Sequence, residues 1–253
     1  MTSKTYKTSE VAKIIGIHPN TVHLYEELEF IPKPERQPNG YRVFTEFHLA
    51  QFQLARTALE VEVLQNGLRK QAIEIIKTSA KGNFEIAKKL AKDYLKQIKQ
   101  EQSQAEEAIA ITQALLSGRS LEVYEKLLKR GEAAQLLQIT MDTLRNWELN
   151  GLLRVKRKDN GYRVYTGDDI ARLKIIRTLR LSNYSLSAIL RMLGALDINP
   201  NTCIKKAINT PDETDDIISV CDKLLTSLHY AEKNADSLIA QIESLKNMCQ
   251  GEL

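Results

Sequence analysis

One pattern constrains this chain more than any other: it repeats itself. Glu10-Val-Ala-Lys-Ile-Ile-Gly-Ile17 matches Glu132-Ala-Ala-Gln-Leu-Leu-Gln-Ile139, 122 positions later (10 against 132). At the same offset, His18-Pro-Asn-Thr-Val-His-Leu-Tyr-Glu26 matches Thr140-Met-Asp-Thr-Leu-Arg-Asn-Trp-Glu148. Asn39-Gly-Tyr-Arg-Val-Phe-Thr45 then matches Asn160-Gly-Tyr-Arg-Val-Tyr-Thr166 at an offset of 121 (39 against 160), so the first copy has one extra residue between the two motifs. Self-similarity of this kind means one supersecondary plan used twice.

Each copy carries the same element signals. A short helix comes first, over Thr8 to Ile15 and near Lys129 to Leu137, with apolar residues at helical spacing. A second helix starts at Pro19, which suits a first helical position, or after Thr140, a good N-cap. A Pro- or Lys/Arg-rich loop with an Asn-Gly turn follows, a strong hairpin signal. A third helix opens after Thr45 or Thr166. Helix, turn, helix, hairpin, helix is the plan of a winged helix-turn-helix. The expected fold is therefore mainly α, with two such modules, each followed by a long coiled-coil-type helix.

The first long helix is expected over about Asn83 to Leu116. Phe84, Ala87, Ala91, Tyr94, Ile98, Ala105, Ala108 and Leu115 lie on one stripe, interrupted by Glu101 and Thr112. The second is expected over about Asp212 to Cys249. Ile217, Cys221, Leu224, Leu228, Ala231, Ala235, Leu238, Ile242, Leu245 and Cys249 step by threes and fours, which makes a coiled-coil seam. The resulting division is 1–82 for the first module, 83–117 for the first long helix, 121–196 for the second module and 211–250 for the last helix. Ser117 to Ser120 separate the halves, and Asp197 to Thr210 read as irregular.

Several classes drop out. No apolar run approaches the roughly 18 residues that span a bilayer, and Met1 to Lys7 carry no signal-peptide core, so a cytoplasmic location is expected. The net charge of +4 is too mild to prove a nucleic-acid partner by itself; the position of the basic residues matters more. No paired carboxylates, nucleophile with its base, or phosphate-binding Gly loop is present. The chain is not read as an enzyme, and no cofactor is implied.

These residues resemble the MerR family of bacterial transcription regulators. The family's recognition helix typically reads Thr-Leu-Arg-Tyr-Tyr-Glu followed by Gly-Leu-Leu. The second copy has Thr143-Leu-Arg-Asn-Trp-Glu148 and Gly151-Leu-Leu153; the first has Thr21-Val-His-Leu-Tyr-Glu26 and Leu28-Glu-Phe-Ile31. Both carry the Asn-Gly-Tyr-Arg wing signature. Asp169 to Arg177 and Tyr184 to Ile189 are similar to the helical pair after the family's wing, a pair that Val61 to Thr78 match less well. The resemblance implies a promoter-bound regulator that bends and untwists its operator, with RNA polymerase as partner. It implies double-stranded DNA as ligand, where distortion adds specificity without base contact.

Recognition-helix residues meet base edges and phosphates in the major groove. Arg145 is the best reader, Asn146 suits adenine, and Thr143 stands at the helix start beside Asp142, which caps or contacts. In the first copy Asn20, Thr21 and His23 hold these places, with Leu24 where the second has Asn146. Tyr25 and Trp147 offer either a polar tip to phosphate or a core plug between helix and wing. The wings add Arg36, Tyr41 and Arg42, with Lys33, in the first copy; Lys156, Arg157, Lys158, Tyr162 and Arg163, with Arg154, crowd the second. Such residues beside a hairpin straddle phosphates. Metal sensing occurs in the family, yet Cys203, Cys221 and Cys249 match no metal-ligand spacing. Cys221 and Cys249 read as buried thiols on the seam, and no metal site is expected.

Family protomers pair through antiparallel long helices. Four linker residues join the first long helix to the second module, which favours a single-chain pseudodimer with two unlike half-sites. A homodimer through the Leu-rich last helix is the competing arrangement. An architectural or excisionase-like DNA-organising protein is the alternative to a regulator.

Overall fold

A computed structural model describes residues 4–60, 67–117, 127–156, 161–210 and 223–251. The elements run β1 (Thr5–Tyr6), α1 (Thr8–Ile15), α2 (Pro19–Glu27), β2 (Glu35–Arg36), β3 (Arg42–Thr45), α3 (Glu46–Leu59), α4 (Leu68–Ala80) and α5 (Phe84–Leu116). Then come β4 (Leu128–Lys129), α6 (Arg130–Leu136), α7 (Met141–Leu149), β5 (Val164–Tyr165), α8 (Gly167–Leu181), α9 (Leu186–Ile198), α10 (Ile204–Asn209) and α11 (Leu224–Gly251). The chain forms two compact units: Met1–Gln100 with Leu228–Leu253, and Glu101–Ser227. The fold is mainly α, as the sequence predicts.

In the first unit, local chemistry fixes each boundary. The Glu10 carboxylate accepts the Lys7 N–H at 2.7 Å, which satisfies a donor at the start of α1. Gly16, at φ 72°, stops the helix. Pro19 opens α2, and the His18 imidazole accepts the Asn20 N–H. Helices α1 and α2 then bury Val11, Ala12, Ile15 and Val22 with Phe44 and Phe52. The Tyr25 ring stacks on Phe52 at 5.4 Å and meets Phe30 edge-on at 5.5 Å. Strand β3 is central: Tyr6 pairs with Phe44 on one side and Arg36 with Arg42 on the other, all antiparallel. The β2–β3 hairpin turns through Pro38, Asn39 and Gly40, with Gly40 at φ 83° and its N–H on the Gln37 carbonyl. A three-residue turn with a left-handed Gly is a common hairpin closure.

Behind this layer, Gln51 is fully buried. Its amide donates to the Phe30 and Ile76 carbonyls at 3.1 and 3.0 Å and accepts from Ser79 at 2.9 Å. It thereby ties α3 to α4 and to the turn after α2. The last helix packs on the first half of α5 in the opposite direction: Glu85 meets Lys246, Lys88 meets Glu243 and Lys99 meets Glu232. Ala87, Ala91, Tyr94 and Ile98 face Leu228, Ala231, Ala235, Leu238, Ile242 and Leu245, all buried. The predicted stripes are thus the buried ones here.

The second unit repeats the plan. The Glu132 carboxylate accepts the Lys129 N–H at 2.7 Å, and the Thr140 hydroxyl accepts the Thr143 N–H at 3.0 Å. Strand β4 pairs antiparallel with β5, Leu128 against Tyr165 and Lys129 against Val164. On the other side of β5 the Val164 N–H reaches the Lys156 carbonyl at 3.2 Å. At the place of Gln51 stands Arg172, whose Nε donates to the Leu152 carbonyl at 3.0 Å and whose fork grips Asp197 at 2.8 and 3.1 Å. In the helix over this unit, Thr112 is buried and its hydroxyl bonds back to the Ala108 carbonyl at 2.7 Å, so it sits on the stripe without an unpaired group.

Two expectations change. Asp197 to Thr210 are not wholly irregular: α9 reaches Ile198, and α10 forms because Ile204 and Ile208 bury one face while Arg191 donates to the carbonyls of Ala207 and Ile208. Cys249 is exposed rather than buried, because it lies past Lys246, which already faces Glu85 at the first turn of α5. Cys203 is exposed as well. Cys221, Ile217, most of the Ser117–Ser120 linker and the start of Val61–Thr78 lie outside the described residues.

Candidate nucleic-acid interface

The exposed side of α7 presents Met141, Asp142, Arg145, Asn146 and Leu149. These are one face of a helix, and Leu144 and Trp147 are the buried one. Arg145 has no ion pair among the described residues and stands open to an anion or a base edge. Asn146 is exposed, but its side-chain Oδ1 accepts from the Asn150 side-chain amide at 2.5 Å. The Thr143 hydroxyl lies 2.8 Å from that of Thr140, so it belongs to the cap. Trp147 is only 5% exposed, and of its two readings the packing fits the core plug.

The matching face of α2 is different in chemistry. Asn20, Leu24, Glu27 and Leu28 are exposed, and no Lys or Arg lies on the helix. Thr21 is half-buried. His23 is half-buried too, and its Nδ1 has no hydrogen-bond partner. Tyr25 packs among aromatic rings, and burial raises its pKa.

The hairpins show the closest correspondence. Tyr41 is 71% exposed and Tyr162 72%, each directly before its Arg. Those arginines are not open cations. Arg42 Nε reaches the Glu26 carboxylate at 2.5 Å, and Arg163 Nε reaches Glu148 at 2.8 Å. Each joins its hairpin to the last turn of the helix that carries its glutamate, α2 or α7. The sequence reading passed over Glu26 and Glu148 as partners; their signal was their recurrence at the same step in both copies. Glu148 also receives Arg130 Nη2 at 2.8 Å and the Tyr165 hydroxyl. Burial, with the Glu148 bond adding to it, pushes the Tyr165 pKa up to about 12. Arg36 lies 3.9 Å from Glu26, half-exposed, and donates to the Gly40 carbonyl. Lys33, Arg154 and Lys156 are exposed. Arg157 and Lys158 lie outside the described residues. Among the described residues, no group of three or more His, Cys, Asp or Glu could hold a metal, and no helix is long and apolar enough to cross a membrane.

Comparison with known proteins matches both copies. Residues 128–196 fit the MerR HTH family regulatory protein profile, and residues 7–44 fit that of the MerR family regulatory protein. The chain is similar to a probable heavy metal-dependent transcriptional regulator of Haemophilus influenzae, with 32% identity over 120 residues, 47% of this chain and 77% of that one. It is also similar to the HTH-type transcriptional regulator ZntR of Escherichia coli K12, with 36% identity over 75 residues, 29% of this chain and 53% of the relative. With the HTH-type transcriptional regulator CueR of Escherichia coli O6:H1, 42% of 53 residues are identical, 21% of this chain and 39% of the relative. The chain thus spans about half the length of ZntR, and less of CueR. No solved structure gives a significant match. A regulatory family agrees with the absence of enzymatic motifs in the sequence. The chain belongs to the MerR family of regulatory proteins and carries that family's motif twice in tandem.

Proposed function

We propose that the chain is a DNA-binding transcription regulator in which two unlike modules read two unlike half-sites of a promoter operator. One observation carries this reading: the same Glu–Arg joint between recognition helix and hairpin occurs in both copies, beside an exposed tyrosine. A fixed angle between helix and hairpin is what simultaneous groove and phosphate contact requires. Arg145 supplies the base or phosphate contact in the second module. In the first, half-buried His23 stands in its place with Leu24 and Asn20 exposed beside it, so base discrimination there rests on apolar and amide contacts. Tyr41, Tyr162, Arg36 and Lys156 supply backbone contacts.

The antiparallel ion pairs between α5 and α11 support a single-chain pseudodimer, since they provide within one chain the pairing that two chains supply in a homodimer. Family membership supports operator bending and untwisting, with RNA polymerase as partner. Selection of fragmented host genomic DNA on the purified protein at near-physiological salt tests the reading. A few enriched fragments, each with two unlike half-sites in a promoter, are expected. Diffuse enrichment that vanishes at modest salt overturns it in favour of an architectural role. Light scattering that finds a stable two-chain particle at low concentration overturns the pseudodimer.

A further inference from the structure

The second unit holds a cavity of about 790 Å³, within the size range of small-molecule sites. It lies among α8, α9, the end of α5 and the segment after α7. Leu115, Ile175, Leu193 and Leu196 give it an apolar side. Gly194 leaves that wall open, since a Cβ there meets nothing within 4 Å.

The charges in the cavity are not evenly matched. Asp169 is committed to Thr166, accepting from its N–H and hydroxyl at 2.8 and 2.9 Å. Asp168 sits in the first turn of α8, where the helix end compensates a carboxylate. Two guanidiniums remain, Arg154 and Arg172, with one carboxylate between them, Asp197. At that end of the cavity two guanidiniums share one carboxylate, although the lining as a whole carries three aspartates against two arginines.

We propose that this cavity takes an amphipathic organic monocarboxylate, whose carboxylate replaces Asp197 on Arg172 and Arg154 while its apolar body lies along the leucines. The Arg172 fork already holds a carboxylate through two bonds, at 2.8 and 3.1 Å, so the geometry for one is in place. The Asp197 side chain is 60% exposed and loses little by turning to water. The first unit is the contrast. There the same position holds Gln51, fully buried with Ser79 and without charge. Only the second copy has the charged, open form.

Arg172 also holds the Leu152 carbonyl at 3.0 Å, three residues past the end of α7. A ligand that repositions Arg172 therefore acts on the stop of the recognition helix. That consequence for DNA rests on the function proposed above; ligand binding itself does not.

The test uses the full chain without DNA, octanoate as probe and the fluorescence of Trp147, the sole tryptophan, whose carbonyl accepts the Leu152 N–H. A saturable change with a midpoint on the order of 1 mM or below is expected. Arg154→Gln should weaken it severalfold. Gly194→Phe should abolish it while circular dichroism and melting temperature stay intact. Octanol and octyltrimethylammonium should give no saturable change. No response to octanoate, an equal or stronger response to either control, or a full response in a folded Gly194→Phe protein overturns the assignment. Octanoate binding in a protein that selects no operator overturns the DNA reading and leaves the cavity assignment standing.

Discussion

Arg163 Nε stands 2.8 Å from the Glu148 carboxylate, as Arg42 Nε stands 2.5 Å from that of Glu26. The two pairs differ in their surroundings. Glu148 is 7% exposed in its side chain and has Arg130 and Tyr165 as further partners; Glu26 is 13% exposed and, among the described residues, has only the distant Arg36 besides. Losing the carboxylate in the second copy leaves two guanidiniums short of a partner. Glu148→Ala should therefore cost about 2–3 kcal/mol, as for charged hydrogen bonds removed from a largely buried site. Arg163→Ala should cost about 1 kcal/mol, because Arg130 and Tyr165 still serve Glu148. Urea unfolding of the two variants compares these costs, and equal losses would rule out the shared-carboxylate account.

The copies also exchange their left-handed residues. Gly16 (φ 72°) corresponds to Gln138 (φ 52°), and Glu29 (φ 59°) corresponds to Gly151 (φ 77°). A side chain in this region costs about 1 kcal/mol against glycine. Glu29→Gly and Gln138→Gly should each raise stability by about 0.5–1 kcal/mol, after the loss of unfolded-state restriction. The ion pairs of Glu29 with Lys77 and Lys81, at 3.9 and 3.8 Å on the surface, are too weak to reverse this. Thermal melting decides it, and a drop in either variant refutes the strain argument.

His48 caps α3: its Nδ1 accepts the Thr45 N–H at 3.1 Å. Burial lowers its pKa. Folded His48 thus binds fewer protons than unfolded His48, so its contribution is present above an unfolded pKa of about 6.5 and is lost as pH falls through the folded value. His48→Gln should flatten the stability profile on the acid side of about pH 6.5. Asp169 does the same capping in the second unit, so that unit should show no matching change there. Denaturant midpoints across pH 5–8 measure the difference.

Base contact and backbone contact separate by variant. Arg145→Ala should lower operator affinity by about 1–3 kcal/mol and relax preference at one position of one half-site. Lys156→Ala should weaken all sequences alike and flatten the salt slope by about one unit. Binding titrations at several salt concentrations distinguish them.

Much of this architecture was legible in sequence because the signals are local. Thr8–Ile15, Pro19 and Thr140 announce themselves through caps and turns within four residues. The seams of α5 and α11 follow from spacing alone. Helix α10 was not legible, since six residues give periodicity nothing to work on. The Glu26–Arg42 and Glu148–Arg163 joints bridge about fifteen positions, and a charged pair at that distance carries no pattern in one copy. The same holds for Trp147: its position in the motif is plain, but its burial depends on packing between elements that no local pattern encodes.

The joint behind each recognition helix is made of different matter in the two copies. Gln51 with Ser79 is a neutral joint, blind to ionic strength and to acid. Arg172 with Asp197 is an ionic one, half-open to solvent, and Arg172 holds the Asp197 carboxyl below its usual range. Such a joint weakens as salt screens it, and it fails as pH falls through that lowered value. One chain therefore holds a joint tuned to its medium beside a joint indifferent to it. Concentrated salt should loosen the Arg172–Asp197 joint of the second copy and leave the Gln51–Ser79 joint of the first in place.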